Sequence, residues 1–232
     1  MSSNRSPALL LLVLALGASG AARADGAEED CAREVAGRVQ ARYEGVRDLE
    51  ARFTQKSTSV AFGAAGQEMR ARGVARFAKP GRMRWTYEEP EPSVVVSDGE
   101  TLWIYDPVAK EAQEFPVGEG FLSGTAVQFL LGEGDILGAF EVGAEGCGTP
   151  AVRLRLRPRA DASYESLELL VAPGTGDVRE TAVVDLFGNR TDVIFESMRS
   201  NLQLDPAQFR FEAGSGVRVL RAQPPGGGSP SQ

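Results

Sequence analysis

Residues 69–88 read MRARGVARFAKPGRMRWTYE. On either side of one turn, apolar and charged side chains take alternate places. Before the turn, Met69, Ala71, Gly73, Ala75 and Phe77 share one face of an extended chain, and Arg70, Arg72 and Arg76 share the other. After it, Met83, Trp85 and Tyr87 repeat the division against Arg82, Arg84 and Thr86. Lys79-Pro80-Gly81 between them is a turn signal. Two one-sided strands joined by a tight turn predict an antiparallel sheet with one apolar face.

The same pattern extends along the chain. In AVRLRLRPRA, residues 151–160, Val152, Leu154 and Leu156 oppose Arg153, Arg155, Arg157 and Arg159. Further turn signals stand at Glu89-Pro90, Asp98-Gly99, Pro173-Gly174, Phe187-Gly188-Asn189 and Asp205-Pro206. Their spacing predicts one many-stranded antiparallel meander, not alternating βαβ units. In TLWIYD, Trp103 and Tyr105 share one face and Leu102 and Ile104 the other, and alternation alone does not say which pair points inwards. The arginine stripe at 153–159 reads either as a docking face for an acidic partner or as a solvated convex surface. Asp98, Glu88 and Glu89 sit at turns and strand ends and need no chemistry.

Only one good helix accompanies these strands. Val35, Val39 and Tyr43 recur at four-residue steps within 27–45, and Gly45 is a stop. The glycine-rich stretch 117–146 holds a short helical candidate at 125–131 and another around 135–140. It reads as a mobile cover over the sheet or as a loosely packed connection. One helix and a few short ones either complete an ordinary α+β core or leave part of the apolar face as a hydrophobic cavity.

The first 24 residues carry Arg5, an apolar run and Ala22-Arg23-Ala24, the order of a cleaved secretory signal. The mature domain is expected over 25–221, and the polar tail 222–232, with little apolar content, is expected to be disordered. Cys31 follows AEED, which is the wrong context for lipid attachment, so an exported, unanchored protein is expected. Cys31 and Cys147 are a candidate disulfide in such a chain, or else two buried thiols.

Lys and Arg total 25 and Asp and Glu 32, and losing Arg5 and Arg23 with the signal leaves 23 − 32 = −9. That balance argues against a nucleic-acid partner or strong attraction to anionic membranes. There is no histidine, which removes Ser-His-Asp and Cys-His catalysis and most catalytic zinc sites. No enzyme, cofactor or metal is expected.

Residues 51–55, ARFTQ, are followed by GVARFAKPGRMRWTYEEPEPSVVVSDGETLWIYDPVAKEAQEF and by TAVQFLL at 125–131. Together they resemble the LolA family of periplasmic carriers that move lipoproteins from the inner to the outer membrane. The resemblance implies an α+β fold, an unclosed antiparallel half-barrel with a lid of short helices over a hydrophobic cavity. It implies acylated lipoproteins as cargo, an ABC-type inner-membrane release complex as donor, an outer-membrane acceptor, and a monomer in the periplasm. Met83 and Trp85 match its inward-facing positions, with Phe77 and Tyr87 in phase. Val127, Leu130 and Leu131 fall on its lid helix. Where the family commonly has an arginine that holds the lid, this chain has Lys79, a point charge in place of a planar fork. A carrier of free lipid, or an envelope sensor on the same fold, is the alternative.

Overall fold

In the computed structural model, which describes residues 21–62, 68–117 and 134–221, helix α1 (Ala21–Glu44) precedes two runs of strands. The first run is β1 (Asp48–Thr58), β2 (Glu68–Ala78), β3 (Arg82–Glu89), β4 (Ser93–Ser97), β5 (Thr101–Asp106) and β6 (Glu111–Pro116). A one-turn helix, α2 (Ile136–Ala139), leads into β7 (Phe140–Glu145), β8 (Val152–Pro158), β9 (Tyr164–Ala172), β10 (Asp177–Asp185) and β11 (Arg190–Ser200). The last strand is β12 (Arg218–Arg221). The runs meet where β1 pairs with β11, giving one open 12-stranded sheet in the order β12-β6-β5-β4-β3-β2-β1-β11-β10-β9-β8-β7.

The expected open sheet is therefore present, with one addition. All neighbours are antiparallel except β12, which runs parallel to β6. Parallel neighbours need a long connection, and here the chain reaches β6 from β11 by crossing the outside of the sheet. Helix α1 extends back to Ala21, ahead of the apolar spacing that begins at Val35, because Ala21, Ala22 and Ala24 have high helix propensity with no apolar period to mark them. The helical candidate around 135–140 is α2, whereas the 125–131 segment lies outside the described residues, as do residues 1–20 and the tail 222–232. β7 falls in the glycine-rich stretch where the sequence shows no strand. Its alternation of Phe140, Val142 and Ala144 is interrupted by Gly143 and is short.

Helix α1 buries Ala32, Val35, Ala36, Val39 and Tyr43 and packs against β7, β8 and β10. The two alanines let the helix approach closely. It is tied down along its length. The Cys31–Cys147 disulfide joins its first half to the β7–β8 turn, and Arg42 pairs with Asp177 at 2.8 Å. The Tyr43 hydroxyl accepts from the Val178 amide at 3.1 Å and donates to Met198 Sδ at 3.6 Å, and burial pushes its pKa up. The turn before β10 passes so near the helix that a Cβ on Gly176 would stand 2.5 Å from the Arg38 carbonyl oxygen, and its φ of +76° also favours glycine.

After β11 the chain becomes a strap over the outer face. Asp48 anchors its start: the carboxylate accepts from the amides of Leu202, Gln203 and Leu204 at 2.5, 2.9 and 3.3 Å, while Asn201 and Gln203 take positive φ. Asn201 accepts from the Arg47 amide and donates to the Gly45 carbonyl, so the strap also fixes the α1–β1 connection. A 3₁₀ turn at Pro206–Phe209 buries Phe209 beneath the Arg82 guanidinium, 5.8 Å from the ring centre. Phe211 then lies 5.1 Å from both Trp103 and Tyr105.

Candidate functional site

Along the inner face, side chains pass from sealed to open in the same direction on β1, β3, β5 and β11, at the centre and on the β1–β6 half of the sheet. On β1, Leu49, Ala51 and Phe53 are buried, and Gln55 and Ser57 are half-buried. β3 runs from buried Met83 through half-buried Trp85 and Tyr87 to exposed Glu89. On β5, Leu102 is buried and Ile104 is exposed, and on β11 the antiparallel run from Phe195 and Val193 to Thr191 follows the same gradient. The half-barrel thus has a packed closed end and an open mouth.

At the middle of this gradient lies an aromatic floor. Trp85 contacts Phe53 and Phe77 edge-on, with ring centres 4.8 and 5.5 Å away, and Phe195 at 6.5 Å. Tyr87 meets Phe53 edge-on at 5.2 Å. Because α1 packs on the β7–β10 half of the sheet, Trp85, Tyr87 and Val95 stay half-buried and Ile104 is 37% exposed. Burial of Tyr87 pushes its hydroxyl pKa up.

The four inward residues named from the sequence do share one face, and they divide by depth. Phe77 and Met83, opposite one another across β2 and β3, are 0% and 6% exposed and belong to the packed closed end. Trp85 and Tyr87 are on the accessible floor. Val127, Leu130 and Leu131 lie outside the described residues. Phe53, Val95, Ile104 and Phe195 join the floor without having been picked out from the sequence. Alternation around Phe53 and Phe195 was there to find, but both are flanked by polar residues that resemble an ordinary half-exposed strand. Trp103 and Tyr105 are on the opposite, outer face, packed against Phe211, so Leu102 and Ile104 are the inward pair.

Lys79 lies in the β2–β3 turn at the closed end. Its Nζ donates to the carbonyls of Tyr43 and Glu44 at 3.1 and 3.0 Å. These are acceptors that the last turn of α1 leaves without helical partners, and a cation is favoured there by the helix dipole, typically by about 0.3–1 kcal/mol. The lysine binds the helix end as a point charge with more than one donor, a role that needs no planar fork. Cys31 and Cys147 are bonded, so the reading as two thiols does not apply.

A recess of about 440 Å³ between the start of α1 and the β7 edge is lined by Val142, Gly143 and Ala144 and by six charged residues, among them Glu28, Glu141 and Arg155, a setting too charged for hydrocarbon chains. On the outer face, much of the arginine stripe is paired within the sheet. Glu168, 6% exposed, meets Arg190 at 2.9 Å, Arg155 at 3.2 Å and Arg153 at 3.5 Å. Burial pushes the Glu168 pKa up, but Arg190 and Arg155 outweigh it and hold the carboxyl below the usual glutamate range. A depressed folded pKa contributes stability above the unfolded value that is lost as pH falls through the folded one, here below about pH 4. Glu168→Gln is expected to cost about 2 kcal/mol at pH 7 and progressively less as the pH falls below about 4, measured by urea unfolding. A cost that does not fall anywhere down the acid range would show that the charge is not what matters.

Among the described residues there is no group of three or more Cys, Asp or Glu placed to hold a metal, and no helix long and apolar enough to cross a membrane.

Residues 44–212, most of the chain, match the family described as outer membrane lipoprotein carrier protein LolA. An outer-membrane lipoprotein carrier protein of Bordetella avium is 30% identical over 94% of this chain and 97% of its own length. One from Alkalilimnicola ehrlichii is 32% identical over 80% and 82%. Among solved structures, an uncharacterized conserved protein from Thermus thermophilus superposes over 82% of this chain and 99% of its own, at 16% identity and a TM-score of 0.50, a likeness of fold alone. With the open sheet, the one-sided strands and the half-covered aromatic floor, these matches make the chain a member of the LolA family of outer membrane lipoprotein carrier proteins.

Proposed function

We propose that this protein is a periplasmic carrier that shelters the acyl chains of lipoproteins between an ABC-type inner-membrane release complex and an outer-membrane acceptor. It acts as a monomer, without catalysis, cofactor or metal. In this reading residues 1–24 are the export signal. The observation that carries the reading is the aromatic floor around Trp85, half-buried and open towards the mouth while the closed end is packed.

Energetics set the requirement. At about 0.8 kcal/mol per buried CH₂, three long acyl chains left in water cost on the order of 30–40 kcal/mol, so transfer needs a sheltering face. Release needs that face to bind less tightly than the next acceptor. An aromatic floor sealed only in part meets both needs, since it contacts chains along one side. Lys79 holds the end of α1 against the closed end, which stays packed whatever the floor binds.

The test is release of radiolabelled lipoproteins from washed spheroplasts by purified protein 25–232, with Ile104→Glu alongside. Ile104 is exposed on the inner face, so a carboxylate there disturbs the floor without opening the core, unlike a charge at Met83. Acylated lipoprotein is expected in the supernatant with the unmodified protein, and at least about tenfold less with Ile104→Glu at unchanged thermal stability, since a desolvated charge costs more than the 1.4 kcal/mol of a tenfold change. No release by the unmodified protein from spheroplasts that respond to an established carrier would remove the cargo assignment.

A further inference from the structure

One step outward from the aromatic floor, the inner face turns polar in a connected way. The Tyr87 hydroxyl donates to Gln55 Oε1 at 3.0 Å, and Gln55 Nε2 donates to Ser57 Oγ at 3.2 Å. Ser57 Oγ in turn shares a hydrogen with Thr191 Oγ1 at 3.4 Å. This line of side chains crosses from β3 over β1 to β11, all of them half-buried, with Phe53, Val193 and Trp85 on its inner side. Continued packing of the sheet needs no such line, because apolar residues at these half-exposed positions would pack as well.

The chain has hydrogen-bonding capacity left over. A primary amide has two hydrogens, and Gln55 uses one; whichever way the Ser57–Thr191 hydrogen points, one of the two hydroxyl hydrogens stays free. The Tyr87 oxygen, having given its proton to Gln55, keeps its lone pairs. A phenol hydroxyl is protonated at neutral pH, and burial moves its pKa further from that range, so it stays a donor to Gln55. Among the described residues the free groups are thus two donors and an acceptor, set where hydrocarbon leaving the floor would end.

Resting on the carrier reading above, we infer that Tyr87, Gln55, Ser57 and Thr191 form a subsite for the carbonyl-bearing glyceryl head of a diacylated ligand. The two free donors meet its ester carbonyls, and the Tyr87 oxygen accepts from a neighbouring N–H or O–H. The aromatic floor takes the chains irrespective of their ends. The polar line sets how far they slide in, and distinguishes an ester-linked lipid from bare hydrocarbon. Free diacylglycerol and a lipidated cysteine share this head.

The test compares three probes: a synthetic S-diacylglyceryl-cysteine peptide, its dialkyl ether counterpart with the same chains and no carbonyls, and free diacylglycerol. Binding is followed by Trp fluorescence in the unmodified protein, Gln55→Leu, Tyr87→Phe and the double variant Ser57→Ala/Thr191→Val. The unmodified protein is expected to prefer the ester peptide to the ether, Gln55→Leu and the double variant each to shrink that ratio about 5-fold, the weight of one hydrogen bond, and Tyr87→Phe to weaken both peptides alike. The double variant nearly keeps side-chain shape, so at least one folded protein bears on the ratio. A ratio unchanged in the folded Gln55→Leu and double variants overturns the subsite and leaves the carrier reading standing. Failure of the unmodified protein to bind any probe overturns both. With the ratio effect present, tighter binding of the peptide than of diacylglycerol identifies the lipidated cysteine as the source of the head, and the reverse identifies free lipid.

Discussion

Replacing Cys31 and Cys147 together by serine is expected to lower the unfolding free energy by about 4–5 kcal/mol. The two sulfurs join residues 116 positions apart, so the bond removes the entropy of a long loop from the unfolded chain. It also joins the first half of α1 to the β7–β8 turn, while Arg42 and Tyr43 hold the second half. A domain stable by about 5–15 kcal/mol would lose a large share of that margin. Urea unfolding of the double variant against the oxidised protein measures it. A difference under about 1 kcal/mol would mean that the other attachments of α1 already restrict the unfolded ensemble or that the bond strains the fold.

Gly73→Ala is the second large effect. A Cβ there would lie 1.9 Å from the Thr86 carbonyl oxygen and 3.0 Å from Tyr87 Cα. Both are backbone atoms of the neighbouring strand, so no rotamer change relieves the clash. β2 and β3 must part at the irregularity that already lies between Arg72 and Gly73. Gly73 is also the residue across which Phe53 on β1 and Tyr87 on β3 face each other, so parting the strands spreads the aromatic floor. About 3 kcal/mol of destabilisation is expected, at the upper end of overpacking costs, with a change in Trp emission. Unchanged stability and emission would show that the strands separate here at little cost.

Much of this architecture was legible because the strands are one-sided. Val152, Leu154 and Leu156 are buried and Arg155 and Arg157 exposed, as alternation implies. Alternation could not orient Trp103 and Tyr105, because β5 carries apolar side chains on both faces: Trp103 and Tyr105 meet Phe211 of the strap outside, and Leu102 and Ile104 lie inside. Nor could it find the Asp48 anchor, whose partners are backbone amides more than 150 positions away with no side-chain signature. At Lys79 the identity of the side chain was plain and its partners were not. They are carbonyls freed by the end of α1, visible only once the helix end and the β2–β3 turn are placed together. The floor itself was half legible, since periodicity gives the face of a strand but not the depth at which each residue sits.

The junction of the two meanders at β1 and β11 also sets a timetable. Contacts across it join residues such as Thr54 and Glu196, 142 positions apart, so the seam waits until nearly the whole chain is available. Until then β1 has β2 on one side and a bare edge on the other, and neither meander has its complete inner face. Structures dominated by such distant pairings fold in milliseconds to seconds, far more slowly than helical bundles. Under the export proposed above, a polypeptide threaded through a membrane in an extended state gains from that delay, because its first half cannot lock into a finished sheet before its second half has emerged.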